Sequence, residues 1–170
     1  MKKIILLLCV LCSSVAAQAQ KFALVDMEYI LSNIPAYERA NEQLNQTSKA
    51  WQGEIEALAN AAETLYKNYQ NESVFLSEQQ KKEREKAIVD KEKEAADLKK
   101  KYFGPEGELF KKRQALIEPI QDEIYNAIKS IATTKNFQLI LDRASDAGII
   151  FASPSIDISN EVLVKLGYSN

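Results

Sequence analysis

Few residues in this chain could do covalent or metal chemistry. Among 170 residues there is no histidine, and the two cysteines, Cys9 and Cys12, stand inside an apolar run at the very start. A thiol or imidazole nucleophile, a His or Cys metal centre and a disulfide framework therefore have nothing to build on beyond that run. The carboxylates fall along charged helical repeats, with no convergent pair to act as acid and base. No catalytic residue, cofactor or metal site is expected. What remains is non-covalent contact by aromatic and aliphatic side chains. The candidates for touching another chain are Tyr66, Tyr69, Val74, Phe75, Leu76, Tyr102 and Phe103, because aromatic groups offer apolar area that tolerates varied partners.

The element that must position them is long. From Trp51 the apolar residues Trp51, Ile55, Leu58, Ala62, Leu65 and Tyr69 step by four and three, which places them on one stripe of a helix packed against a partner helix. Upstream, Tyr37, Ala40, Leu44 and Thr47 lead into the same stripe. The stretch 36–134 reads as a helical hairpin arm: out to a tip at 71–77, then back. An outgoing helix of about 36 residues would be about 54 Å long, so an elongated molecule is expected. Tyr69 and Tyr102 fall in register with the seam, so packing competes with binding for both. Val74, Phe75 and Leu76 either close the hairpin or face a partner. Ser77, with Gln80 three residues on, is a capping box for the returning helix.

That returning arm is thinly apolar, with Ile88, Ala95, Leu98 and Tyr102 set among nine basic and seven acidic residues between Glu78 and Lys101. Such a mixture describes a solvated face laced with i,i+4 pairs. Gly53 is a weak point or a bend in the outgoing helix. Gly104, Pro105 and Gly107 should break the returning helix and are hinge candidates. Beyond them the seam resumes as Phe110, Ile117, Ile124 and Ile131, with Ile120 and Ala127 between, and Pro119 should bend it. Lys99–Lys101 and Lys111–Arg113 form a basic band, either plain solvated charge or a weak contact for a membrane surface or lipopolysaccharide.

The ends have a different texture. Residues 1–19 read as a signal peptide: Lys2 and Lys3, an apolar core to Val15 too short to span a bilayer, and Ala17-Gln18-Ala19 before a cleavage at Gln20. An uncleaved anchor is the other reading. Without Lys2 and Lys3 the chain carries 20 basic and 24 acidic residues, a net charge of −4, which speaks against a nucleic-acid partner. Residues 20–35 and 135–170 should form a β-rich oligomerisation body. Phe22 to Val25 and Phe137 to Asp142 read as strands, Ile149 to Phe151 as a third, and Glu161 to Leu166 as a closing helix. Asp26 suits a cap for the turn of helix after it. Phe22, Leu24, Phe137, Leu139, Leu141, Ile149, Ile150 and Phe151 are the candidate body residues. So small a body without disulfide or metal is marginal alone, and its strands would have open edges. An obligate homo-oligomer is the expectation.

Phe22-Ala23-Leu24-Val25-Asp26-Met27, the charged hairpin, Phe137-Gln138-Leu139-Ile140-Leu141-Asp142 and Ile150-Phe151-Ala152-Ser153-Pro154-Ser155-Ile156-Asp157-Ile158-Ser159 together resemble the Skp/OmpH family of periplasmic chaperones. The resemblance covers essentially all of the chain after residue 19. It implies a mainly α fold with a small β body, in which long antiparallel coiled-coil hairpins project from a trimeric, β-barrel-like head. It implies a homotrimer in the periplasm that acts without ATP, holding unfolded outer-membrane β-barrel proteins between its arms and preventing their aggregation. Its acidic balance departs from the family's basic members, and the break at 104–107 is a second departure. The competing function is a structural coiled-coil adaptor of the cell envelope, with one fixed folded partner.

Overall fold

The computed structural model describes residues 21–145 and 148–168. The signal-peptide segment lies outside them, as does part of the turn expected before Ile149. The described residues are mainly helical, with one two-stranded sheet. Its elements in order are β1 (Lys21–Val25), α1 (Met27–Ser32), α2 (Pro35–Glu72), a 3-10 turn (Ser73–Phe75), α3 (Glu78–Phe103), α4 (Glu108–Lys135), β2 (Phe137–Asp142), a second 3-10 turn (Pro154–Ile156) and α5 (Ser159–Lys165). Contacts divide the chain into two units. One is Pro35–Asp122; the other holds β1, α1, the end of α4 from Glu123, β2 and α5. No helix among the described residues is long and apolar enough to cross a membrane.

The first of these units is the hairpin of α2 and α3. Helix α2 begins on Pro35, whose missing N–H costs nothing at that position. It runs 38 residues, about 57 Å at 1.5 Å per residue. Every position of the expected seam from Tyr37 to Tyr69 is buried or half-buried, while nearly all of its neighbours are exposed. The helix continues through Gly53. Helix α3 starts at the expected capping box: the Ser77 hydroxyl accepts from Gln80 N, and the Gln80 side chain accepts from Ser77 N. Ile88, Ala95, Leu98 and Tyr102 form its shielded stripe. The charged surface is laced as expected, with Lys86–Asp90 at 2.8 Å and Lys91–Glu94 at 2.7 Å. Tyr69 faces Glu85, Glu72 faces Arg84 and Trp51 faces Tyr102. One number rises as the other falls, so the pair is antiparallel.

Helix α4 passes through Pro119 without interruption. Ile117, Ile120, Ile124, Ala127 and Ile131 are buried on it. Phe110, expected in the same row, is exposed, while its neighbour Leu109 is half-buried. The helix stops at Lys135, where Asn136 takes φ 57°; asparagine tolerates this left-handed geometry better than most side chains.

In the second unit β1 and β2 pair in parallel, Phe22 with Leu139 and Leu24 with Leu141. The other edge of β1 is occupied where Ile158 N donates to Leu24 O at 2.9 Å. Ala23, Leu24, Val25, Ile30, Ile34, Ile158, Val162 and Leu163 are buried. The expected third strand, Ile149 to Phe151, is not one: these residues join no ladder, and Ile150 is fully exposed. A strand exists only through a hydrogen-bonded neighbour; Ile158 takes the second edge of β1, and Ile149 to Phe151 make no pairing with the open edge of β2. The closing helix begins two residues earlier than expected, at Ser159, because the Asp157 carboxylate accepts from both Ser159 N and Ser159 Oγ and so starts the turn there.

Candidate functional site

At the end of the hairpin nearer the break, aromatic side chains lock the two helices together. The Tyr102 ring stacks on the Trp51 indole, and Phe103 meets the same indole edge-on at 6.4 Å. The Tyr102 hydroxyl donates to Glu54 at 2.8 Å. Near the other end the Tyr69 hydroxyl donates to Glu85, and Arg84 pairs with Glu72 at 3.3 Å. Each tyrosine is pushed above its ordinary pKa of 10.0, first because its proton is held by a carboxylate. Tyr69, Tyr102 and Phe103 are thus placed in hairpin packing. Leu76 is half-buried at the turn.

The remaining candidates are open to solvent. Val74 is 81% exposed and Phe75 85%, on the 3-10 turn between the two helices. Tyr66 is half-exposed on α2, its hydroxyl accepting from Gln70. Val89, on α3, is exposed too; the sequence reading passed over it because it adjoins the seam residue Ile88. Counting apolar residues off the seam would have found it.

The break is closely packed. Gly104 N donates to Lys100 O and Gly107 N to Gly104 O, both at 2.9 Å, and Lys111 N donates to Gly107 O at 3.1 Å. A Cβ on Gly104 would lie 2.4 Å from Lys100 O, and one on Gly107 would lie 2.7 Å from Tyr102 O. Glycine is required here by close approach of backbone, whatever motion the joint permits. In the nearby basic band, Lys111 is paired with Glu108 at 3.1 Å.

The strand-bearing unit has a polar clamp and an apolar face. Arg143 donates to Asp26 at 3.0 Å and to Asp157 at 3.1 Å. Asp26 also caps α1 by accepting from Tyr29 N at 2.8 Å, and its backbone N–H donates to Ser159 Oγ. The capping N–H foremost, then Arg143, hold the Asp26 carboxyl below its ordinary range against a partial desolvation. Leu24 is buried and Phe137 and Ile149 are half-buried. Phe22, Leu139, Leu141, Ile150 and Phe151 are exposed. Phe22 and Leu24 share one face of the sheet with their register partners Leu139 and Leu141. Among the described residues β2 pairs with β1 alone, so its outer edge is open.

A family model for outer membrane proteins of the OmpH-like kind matches residues 21–166. The chaperone protein Skp of Yersinia enterocolitica is 24% identical over 158 residues, 92% of this chain and 92% of that protein. An OmpH-like protein of Caulobacter crescentus CB15, described as a candidate outer membrane chaperone, has a similar crystal structure over 85% of this chain and 82% of its own. The TM-score is 0.69 at 12% identity, a likeness of fold.

Proposed function

The chain belongs to the OmpH-like family, and from that premise we propose that it is a periplasmic, ATP-independent holdase for unfolded outer-membrane β-barrel proteins. It works by contact alone and performs no enzymatic step. The observation that carries the reading is the exposure of Val74 and Phe75 at the hairpin turn. A folded protein rarely spends apolar side chains on a tip unless something touches them. Weak, distributed apolar contacts are what a holder of unfolded chains needs, since they grip many sequences and release them without an energy source. Tyr66 and the tip supply such contacts; Tyr69, Tyr102 and Phe103 keep the arm that presents them in shape.

The working unit is a homotrimer. Phe22, Leu139, Leu141, Ile150 and Phe151 are exposed in the single chain, and the open edge of β2 is a template for another strand. Three copies joined through these residues would cover both and would carry three hairpins around the client. Export by residues 1–19 delivers the chain to the periplasm, where its clients pass unfolded. The basic band beside the break offers a weak contact to anionic membrane lipid.

The test is light scattering as a urea-unfolded outer-membrane β-barrel protein is diluted into buffer with the chain from Gln20 to Asn170. Suppressed aggregation without ATP, saturating near one trimer per client, is expected. No suppression by an assembled oligomer would contradict the reading.

A further inference from the structure

Midway along the hairpin the seam runs short of side-chain volume. Ala59 and Ala62 on α2 lie across from Ala95 on α3, where other levels carry Trp51 against Tyr102 or Tyr69 against Glu85. The deficit leaves a groove of about 420 Å³ along one side of the helix pair, lined by those three alanines with Glu63, Tyr66 and Glu92. This falls within the roughly 300–1,000 Å³ of ordinary ligand pockets. Ala62 closes its floor at 4% exposure, while Tyr66 at 49% forms a wall. Each helix gives the rim one carboxylate, Glu63 on α2 and Glu92 on α3. Lys67 pairs with Glu63 at 2.6 Å along α2, and Glu92 has no ion-pair partner among the described residues.

We propose that this groove is a specific subsite for an unfolded chain, taking one large apolar side chain that stands next to a lysine or arginine. The floor of alanine methyls and the Tyr66 ring accept an aliphatic or aromatic group, since burial of apolar surface drives such docking. The unpaired carboxylate of Glu92 attracts a neighbouring cation and repels a neighbouring acid, while Glu63 is already held by Lys67. The arm thereby reads a two-residue pattern in a client, where the tip residues Val74 and Phe75 read only apolarity. The subsite rests on the reading of the chain as a holder of unfolded chains.

The test uses the full assembled chain with alanine methyls labelled for NMR and three unstructured peptides of equal length, bearing repeated Leu–Lys, Leu–Glu or Ser–Lys pairs. The Leu–Lys peptide should shift the Ala59, Ala62 and Ala95 methyl signals. The Leu–Glu peptide should bind at least about tenfold more weakly, and the Ser–Lys peptide should shift none of them. Ala59→Trp, at an exposed lining position, should fill the groove and abolish the shifts with an unchanged melting curve; Ala59→Leu serves if the larger residue unfolds the arm. Glu92→Gln should erase the preference for Leu–Lys over Leu–Glu while keeping the apolar binding. Equal shifts from all three peptides, shifts that survive the filled groove, or concentration-dependent shifts without peptide, which would mean that a second copy occupies the groove, each overturn the proposal. Loss of aggregation suppression in the unmodified chain with the peptide shifts intact would remove the holdase reading and leave the groove standing.

Discussion

The Trp51 indole lies flat on the Tyr102 ring, with centroids 4.4 Å apart and planes 8° from parallel. The two residues stand 51 positions apart in the chain, so the stack fixes the register of the whole hairpin rather than any local turn. Trp51→Ala should cost roughly 1–3 kcal/mol of hairpin stability, less than a fully buried aromatic because the site is half-exposed. Urea unfolding of Trp51→Ala, Tyr102→Ala and the double variant should give a coupling of about 0.5–1.5 kcal/mol.

Alkaline pH should loosen the same arm at both ends. Tyr69 and Tyr102 each donate to a carboxylate, and their folded pKa values lie above the ordinary 10.0. Their contribution is therefore full below pH 10 and is lost as pH rises through the folded values, where a phenolate would face a carboxylate. A Tyr69→Phe, Tyr102→Phe double variant should melt lower than the parent at pH 8, and the gap should close at pH values above both folded titrations. Thermal melts followed by circular dichroism across that range check it; a constant gap would refute the role given to the hydroxyls.

Two glycines of the arm should respond in opposite directions. Gly53 has nothing within 4 Å of where a Cβ would stand and sits inside a continuous helix, so Gly53→Ala should stabilise by about 0.5–1 kcal/mol. Gly107→Ala would drive a Cβ to 2.7 Å from Tyr102 O and 2.9 Å from Lys101 O, and should destabilise by about 1–3 kcal/mol through displaced backbone. Denaturant titration of both variants decides the matter.

Most of the arm was legible in the sequence. The three–four spacing from Tyr37 to Tyr69 marked the shielded stripe, and Ser77 with Gln80 marked the restart, because both signals are local. Asp26 as a cap was legible for the same reason. The clamp of Arg143 on Asp26 and Asp157 was not, since it joins three segments far apart in sequence. Ile149 to Phe151 has the composition of a strand, but strand formation depends on a neighbour that composition does not reveal. The alanine groove escaped notice because alanine satisfies the seam pattern while leaving it underfilled, and only the facing residue, Ala95, turns that into a cavity.

Assembly should depend on the exposed apolar residues of the strand-bearing unit and not on the tip. Phe151→Asp should shift the chain toward monomer in analytical ultracentrifugation, since it would place a charge in the apolar contact proposed between copies. Phe75→Ser should leave the assembled mass unchanged. If the tip change dissociates the oligomer, the division between body and tip is wrong.

The most direct measurement is contact itself. A photo-crosslinking side chain placed at Phe75, at Tyr66 or, as an exposed control on the same helix, at Lys49 would be illuminated just after a urea-unfolded outer-membrane β-barrel protein is diluted onto the assembled chain without ATP. Crosslinks to the unfolded client from positions 75 and 66, absent at 49 and absent when the client is already folded, are the predicted result. Client crosslinks equal at all three positions, or none from the tip, would contradict the claim that the exposed apolar groups of the hairpin hold the client.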